Sequence, residues 1–449
     1  MDSHHSNRGR WARRFAAVAG AAILPTAVAC APPGSGYTTT APTEPVAVST
    51  DLGTDPIELT LYDGAGLKKI DEALIAAFTE RHPNVTITAR YDPDEVQAVN
   101  APRVLASDNP PDIARIIALP AAVANRQLTA LDPWAEAYGW NELPEGQMAM
   151  YRVDDAGVRG TGPQYTMASG FTLTGLYYNE ELATRIGMTS PPTTVEEFEQ
   201  ALAAAKTTGL VPIMAGNKSA QVTFLVQMML NTALGQDAVN DWVFNTPGAT
   251  LDTPAGVDAA AVVADWAAKG YFPQDTNGTD ATAAAGRFAA GEALFYASGN
   301  WDAATLQTKM GEDVGFVLPP APAGAPVLAM SDPVSNFAIP SGSDDKNAAA
   351  AFLDFLRSDA GRQVAVDAGF APAGTGKVPA TAPGSLGAQI QAAFGRLVAS
   401  GGQVQFVQNA TNGMSGTWLP QVQMLAAGRT TPGQMMAAVQ SAYQQDLLR

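Results

Sequence analysis

The chain has 449 residues, 46% of them hydrophobic and 15% charged, with 43 acidic against 26 basic side chains and a formal charge of −17. A surface that acidic repels phosphate backbones and anionic head groups, which argues against a nucleic-acid partner and against electrostatic adhesion to a membrane. One cysteine, Cys30, and three histidines, His4, His5 and His82, leave almost no material for Ser-His or Cys-His catalysis, a disulfide framework or a His-rich metal site.

In chain order, Arg8, Arg10, Arg13 and Arg14 precede an apolar run from Phe15 to Val28 that is too short for a permanent membrane helix, the layout of an export signal. The run ends at Ala27-Val28-Ala29-Cys30, small residues leading into the sole cysteine, which is the pattern of a bacterial lipobox with Ala27 where leucine is usual. The expectation is a signal peptide over 1–29 and lipidation of Cys30, with acyl chains holding the protein at the cell membrane, outside the cytoplasm. Arg13-Arg14 fits twin-arginine export, whereas the alanines after Phe15 do not, so both export routes stay open. Cleavage before Cys30 takes four arginines and Asp2 from the totals and leaves a mature charge of about −20. No later segment is apolar for long enough to cross a bilayer.

Residues 30–55 are rich in Pro, Thr, Gly and Ser and read as an extended tether. Alternating apolar residues in Ile57-Glu58-Leu59-Thr60-Leu61-Tyr62 predict a strand, which passes through Asp63-Gly64-Ala65-Gly66 into a helix. Leu67, Ile70, Leu74 and Phe78 mark its inner face, with Lys68, Lys69, Asp71 and Glu72 largely on another, and His82-Pro83 ends it. A second strand is expected from Val85 to Ala89. Further strands are expected at Gly175 to Tyr178, Val211 to Met214 and Phe295 to Ala297, between helices at Val195 to Ala205 and Ala348 to Leu356. Thr194 suits an N-cap, and Glu196 and Glu197 suit the positive end of the helix that follows. Strands alternating with helices predict an α/β fold of layered, mainly parallel sheets, and no repeat of 20 to 50 residues points to a solenoid.

Catalytic and cofactor motifs are missing. Gly413-Met414-Ser415-Gly416-Thr417 fails as a nucleophile elbow at its last position, and Gly216-Asn217-Lys218-Ser219 lacks the upstream glycine of a phosphate loop. Acids are plentiful, but no pair is singled out as the machinery of a glycoside hydrolase. The tyrosine pair Tyr177-Tyr178 lies in an apolar strand and reads as core rather than as an iron site. No cofactor and no metal are expected.

A series of short motifs gives a positive direction. In order they are Phe78-Thr79-Glu80-Arg81-His82-Pro83-Asn84-Val85, Ala106-Ser107-Asp108-Asn109-Pro110-Pro111-Asp112-Ile113, and Gln127-Leu128-Thr129-Ala130-Leu131-Asp132. Leu176-Tyr177-Tyr178-Asn179-Glu180-Glu181-Leu182 then leads to Pro191-Pro192-Thr193-Thr194-Val195-Glu196-Glu197-Phe198. Later come Phe288-Ala289-Ala290-Gly291-Glu292-Ala293-Leu294, Ser298-Gly299-Asn300-Trp301 and Gly369-Phe370-Ala371-Pro372. In this order they resemble the bacterial extracellular solute-binding proteins of family 1, the group that includes maltose-binding protein.

The resemblance implies a two-lobe periplasmic-binding fold with a hinge and an interlobe cleft. The first lobe would take 56–168 and 330–373, and the second 169–329 and 374–449. It further implies a monomeric, non-enzymatic lipoprotein of an ABC importer that captures a small polar solute, a saccharide or sugar derivative, and delivers it to permease subunits. A glycerophosphodiester or another non-sugar solute is the alternative, and a secreted glycoside hydrolase is a more distant one.

Sugar hydroxyls need hydrogen-bonding partners and sugar C–H faces favour aromatic platforms, which singles out Trp301 and Trp418, each readable as cleft or as core. Asp63 and Gly64 end a strand where α/β sheets bind ligands, although Asp63 serves equally as a helix cap. Family position adds Ser169 and Thr172 at the first crossover, Asn217 and Gln221 after the Val211 strand, Gly299 beside Trp301, and Asp332 at the second crossover. Arg115 is the one contact expected from Arg115-Ile116-Ile117-Ala118-Leu119, a loop less polar than in saccharide-binding members. Trp134, Trp140, Trp242 and Trp266 read as structural.

Overall fold

Alternation in the first strand has a direct structural counterpart in the computed structural model, which describes residues 47–374, 381–411 and 413–448. Strand Ile57–Gly64 turns Leu59 and Leu61 inward and Glu58 and Thr60 outward, and then becomes wholly buried at Tyr62, Asp63 and Gly64. It pairs in parallel with Val85–Asp92 on one side and Ile113–Arg115 on the other. Phe337–Ala338 and Thr166–Met167 complete this five-stranded sheet in antiparallel register. A second, four-stranded sheet takes Val314–Val317, Thr174–Asn179, Ala293–Gly299 and Val211–Met214 in spatial order.

Only one pairing of the second sheet, Ala293–Gly299 with Val211–Met214, is parallel. The expectation of mainly parallel sheets therefore holds for three strands of the first sheet and not for the second. Strand Thr174–Asn179 arrives straight from the crossover, without a helix to reverse the chain, and so runs against both of its neighbours.

Between the two sheets the chain crosses at a small antiparallel ribbon, Pro333–Val334, Gly170–Phe171 and Ala371–Pro372. Ser169 and Thr172 lie on this ribbon's flanks and Asp332 at its return.

The helix after the first strand spans Lys68–Arg81, and its Ile70, Leu74 and Phe78 are buried as the periodicity predicts. Phe78 meets Phe352 and Phe355 edge-on at 5.3 and 5.5 Å. Those two residues belong to helix Lys346–Phe355, which returns late in the chain to the first sheet. Burying a phenylalanine is worth about 2–3 kcal/mol, so this triple contact ties sequence-distant segments together. Asp71 corrects the helix reading: instead of facing solvent with Lys68, Lys69 and Glu72, it is fully buried beside Ile70.

Helix Val195–Thr207 begins with Thr194 accepting from Glu197 N, and Glu197 reaches back to Thr194 N, a reciprocal cap. Trp134, Trp140, Trp242 and Trp266 are all buried with their indole N–H groups on Asn347, Asp354, Gln440 and Glu199. Among the described residues no helix is long and apolar enough to cross a membrane, and no cluster of three or more His, Cys, Asp or Glu could hold a metal ion. Cys30, the signal and most of the tether lie outside the described residues.

Candidate ligand-binding site

Strand Ala293–Gly299 is buried along its whole length and ends in a single turn, Asn300–Asp302. Both sides of that turn are fixed. The Asn300 side chain accepts from Leu173 N at 3.0 Å and donates to the Phe171 carbonyl at 3.2 Å, anchoring the turn to the crossover. Asp302 accepts from the Tyr296 hydroxyl at 2.8 Å and from Ser298 Oγ at 2.6 Å. Tyr296 in turn accepts from Gln221 Nε2 at 2.8 Å, and Gln221 Oε1 accepts from Gly216 N at 2.7 Å.

Trp301 stands between these two anchors and is 39% exposed, whereas every other tryptophan among the described residues is at most 2% exposed. Its ring lies over Gly299, where a β-carbon would come within 2.2 Å of it. Phe224, near the start of helix Val222–Val243, meets Trp301 edge-on at 5.8 Å, and Phe406 continues the row 6.0 Å beyond Phe224. The result is an aromatic ridge at the carboxyl end of a strand, with Trp301 partly exposed at its end.

At the carboxyl end of Ile57–Gly64, Asp63 is fully buried and accepts from Gly64 N and the Arg115 guanidinium. Arg115 keeps 15% of its side chain exposed. Burial pushes the Asp63 carboxyl upward against the pull of Arg115. Asp71 lies beside it and accepts from Ser335 Oγ at 3.0 Å, and burial together with the Asp63 charge pushes Asp71 up to about 9.

The crossover residues are bonded internally. Ser169 Oγ donates to the Val334 carbonyl at 3.0 Å, and Thr172 Oγ1 accepts from Asp332 N at 2.8 Å. The Asp332 carboxylate accepts from Phe406 N at 3.2 Å and from Asn409 Nδ2, and burial pushes it up to about 6 despite the attraction of Arg159. Asn217 donates to Asn277 Oδ1 at 2.6 Å and is fully buried. Ser169, Thr172, Asn217, Gln221 and Asp332 thus hold the frame in this conformation, while Trp301 and the edge of Arg115 present surface.

Trp418 is corrected. It lies inside helix Met414–Ala426 at 1% exposure, because the small residues of Gly413 to Thr417 start a helix and its fifth position turns into the core. Sequence reasoning missed Phe224, Phe406, Asp302, Asp71 and Arg159. Phe224 carries a faint signal, three residues after Gln221 at a helix start, and Asp302 a local one, four residues after Ser298, while Phe406 and Arg159 are recruited by contacts across more than seventy residues and Asp71 is an acid on an apolar helix face. Concavities elsewhere, such as the one of about 310 Å³ lined by Gln307, Glu312 and Gln389, include neither Trp301 nor Asp63.

Two sheets of α/β type joined by crossing strands, with an open aromatic at a strand's carboxyl end, define the class of two-lobe binding proteins. The chain matches the family profile of bacterial extracellular solute-binding proteins over residues 64–363, roughly two thirds of its length, and it belongs to that family. It is a solute-binding protein of the ABC-importer type, and the members it resembles are binding proteins rather than enzymes.

Comparison with curated protein sequences returns no match. Among solved structures, a chitin oligosaccharide binding protein superimposes with a TM-score of 0.70 at 21% identity, covering 88% of this chain and 100% of that one. The bacterial solute receptor AcbH, described as exclusive for β-D-galactopyranose, gives 0.72 at 16% identity over 89% of this chain and 99% of its own. A probable secreted solute-binding lipoprotein from Streptomyces coelicolor gives 0.70 at 19% identity over 87% and 100%. At these identities the likeness is one of fold.

Proposed function

We propose that the protein captures a saccharide or sugar derivative between two lobes, 56–168 with 330–373 and 169–329 with 374–449, and delivers it to ABC permease subunits. The observation that carries this reading is Trp301, a tryptophan fixed on both flanks and left 39% exposed at a strand's carboxyl end. Sugar rings offer C–H faces that pack on such a platform, and polar groups around it read the hydroxyls. Arg115, paired with Asp63 and with 15% of its side chain exposed, supports a polar contact at the ligand's edge. Engagement of that guanidinium by a carboxylate makes it a weaker partner for a phosphodiester ligand than an unpaired cation would be.

Neighbouring structures support the sugar class, since those of like fold include a chitin oligosaccharide binder and a raffinose complex. We further propose that Cys30 carries the lipid anchor and that the chain acts as a monomer with the permease as its partner.

The test is a thermal-shift screen of the purified protein over raffinose, galactose, chitooligosaccharides, xylooligosaccharides and glycerophosphocholine, followed by isothermal titration of any hit. Stabilisation by one sugar class and loss of binding in Trp301→Ala is the expected result. Stabilisation by glycerophosphocholine alone, or by none of the set, would overturn the saccharide reading.

A further inference from the structure

We propose that the buried acid Asp71 is a positioning residue for ligand capture: it shares a proton with Asp63 and, through that link and its bond to Ser335, holds Arg115 and the return crossover in the binding-ready arrangement. The proposal rests on reading the Asp63–Arg115 end of the first sheet as part of the ligand site.

Asp63 and Asp71 are both fully buried, with their carboxyl groups within hydrogen-bonding reach of each other. Each has one oxygen supplied by donors. Asp63 Oδ1 receives Gly64 N and the Arg115 guanidinium, and Asp71 Oδ1 receives Ser335 Oγ. Each also has one oxygen, Oδ2, with no donor. A single proton between the carboxyls supplies both.

Charge leads to the same count. Two ionised carboxylates against one guanidinium leave a buried surplus of negative charge, whereas one proton makes the trio neutral. The proton belongs on Asp71, because Asp63 faces a cation and a backbone N–H, which favour its ionised form, and Asp71 faces only a hydroxyl. The direction of its titration agrees: burial and the neighbouring Asp63 raise Asp71 to about 9.

What the proton holds is the geometry around Arg115. Ser335 lies between strands Pro333–Val334 and Phe337–Ala338, so it joins the crossing ribbon to the first sheet, and it adopts φ +43, a conformation that a residue with a β-carbon avoids unless held there. The next residue, Asn336, accepts Ile116 N on its carbonyl at 2.9 Å, and Gln97 Nε2 donates to the Arg115 carbonyl at 3.0 Å. Asp71, Ser335, Asn336, Ile116, Arg115 and Asp63 therefore form a closed circuit.

Other charged and titratable groups are few. The neighbouring strand presents Tyr91, whose phenol burial and the charges of Asp71, Glu72 and Asp63 drive upward. On the outer side of the same helix Lys68 pairs with Glu72 at 3.6 Å and lies over the Tyr91 ring. Arg362, on helix Asp359–Asp367 packed along Lys68–Arg81, is bonded to the Ala373 carbonyl.

Asparagine at 71 separates positioning from simple packing, since its amide donates to Asp63 and its carbonyl accepts from Ser335 with no proton to lose. Alanine can do neither. In the ligand-free full-length protein, the Arg115 Nε–H resonance should hold steady from pH 6 to 8 and shift as pH passes about 9. It should stay constant to pH 10 in Asp71→Asn and be displaced or broadened at every pH in Asp71→Ala.

With raffinose or diacetylchitobiose as probe, Asp71→Asn should bind within about threefold of the parent and Asp71→Ala about tenfold or more weakly, the effect of losing a hydrogen bond to a charged group. The parent should lose about tenfold between pH 8 and 10, and Asp71→Asn should not. If neither sugar binds the parent, the sugar that stabilises it in the thermal-shift screen replaces them, and if no sugar does, the saccharide reading falls and the Arg115 resonance alone decides the positioning role. An Asp71 carboxyl carbon titrating below pH 6, or an Arg115 resonance identical in Asp71→Ala and the parent, overturns the proposal.

Discussion

Trp301 meets Phe224 edge-on, with ring centroids 5.8 Å apart and planes at 60°. Phe224 and Gly299 support the indole while 39% of the residue stays exposed, so truncation removes contact area from a ligand without opening the core. Trp301→Ala should cost about 2 kcal/mol of sugar binding, roughly thirtyfold in Kd. Titration calorimetry on the best-binding sugar checks this, and an unchanged Kd would take Trp301 out of the site.

Gly299 sets the position of that ring. A β-carbon there would sit 2.2 Å from Trp301 Cζ3 and 2.3 Å from Cη2, so Gly299→Ala must push the indole aside. The expected outcome is weakened sugar binding with an unaltered far-ultraviolet circular dichroism spectrum. Full affinity in this variant would mean that the ring's present placement does not matter to the ligand.

Trp418 should behave in the opposite way. At 1% exposure inside Met414–Ala426 it contributes to stability, and Trp418→Ala should cost about 3–5 kcal/mol in denaturant unfolding. Trp418→Phe, which keeps most of the buried ring, should bind sugar with the parent's affinity. A folded Trp418→Phe that fails to bind would return this residue to the ligand site.

Asp332 gives a pH dependence of stability. Its folded carboxyl is pushed up to about 6 from an ordinary 3.8, so between those values the folded chain holds a proton that the unfolded chain has released. The stability this residue contributes is therefore full below about pH 4 and lost as pH rises to about 6. Asp332→Asn keeps an acceptor for Phe406 N and should flatten that part of the melting-temperature profile. A profile between pH 4 and 6 identical to the parent's would show that Asp332 titrates at its ordinary value.

Legibility varied with the range of the interaction. Ile57 to Tyr62 announced its strand because alternation is written locally, and Val211 to Met214 was read to the residue. Thr194 is legible as an N-cap because a cap and the acids of the first turn are adjacent in the chain, and the structure adds the reciprocal bond from Glu197. Asp71 was misread because helical periodicity places an acid by angle alone and does not register that Ser335, Asp63 and Arg115 will be waiting for it on the inner side. Trp418 is readable as cleft or as core from its glycine-containing surroundings, and only the packing of helix Met414–Ala426 puts it in the core.

The sequence by itself determined the layered α/β class, the family order of motifs and the scarcity of nucleophilic and metal-ligating side chains, since composition and short-range periodicity carry all three. Tertiary structure decided which aromatic stays open. Trp301 and Trp418 both follow glycine-containing segments, and only the anchoring of Asn300 to Leu173 and of Asp302 to Tyr296 keeps one at the surface while helix packing buries the other. The contact of Asn300 with Leu173 joins residues far apart in the chain, and helix packing is likewise long-range, so neither leaves a local periodicity to read, because each partner's own neighbourhood is compatible with either fate.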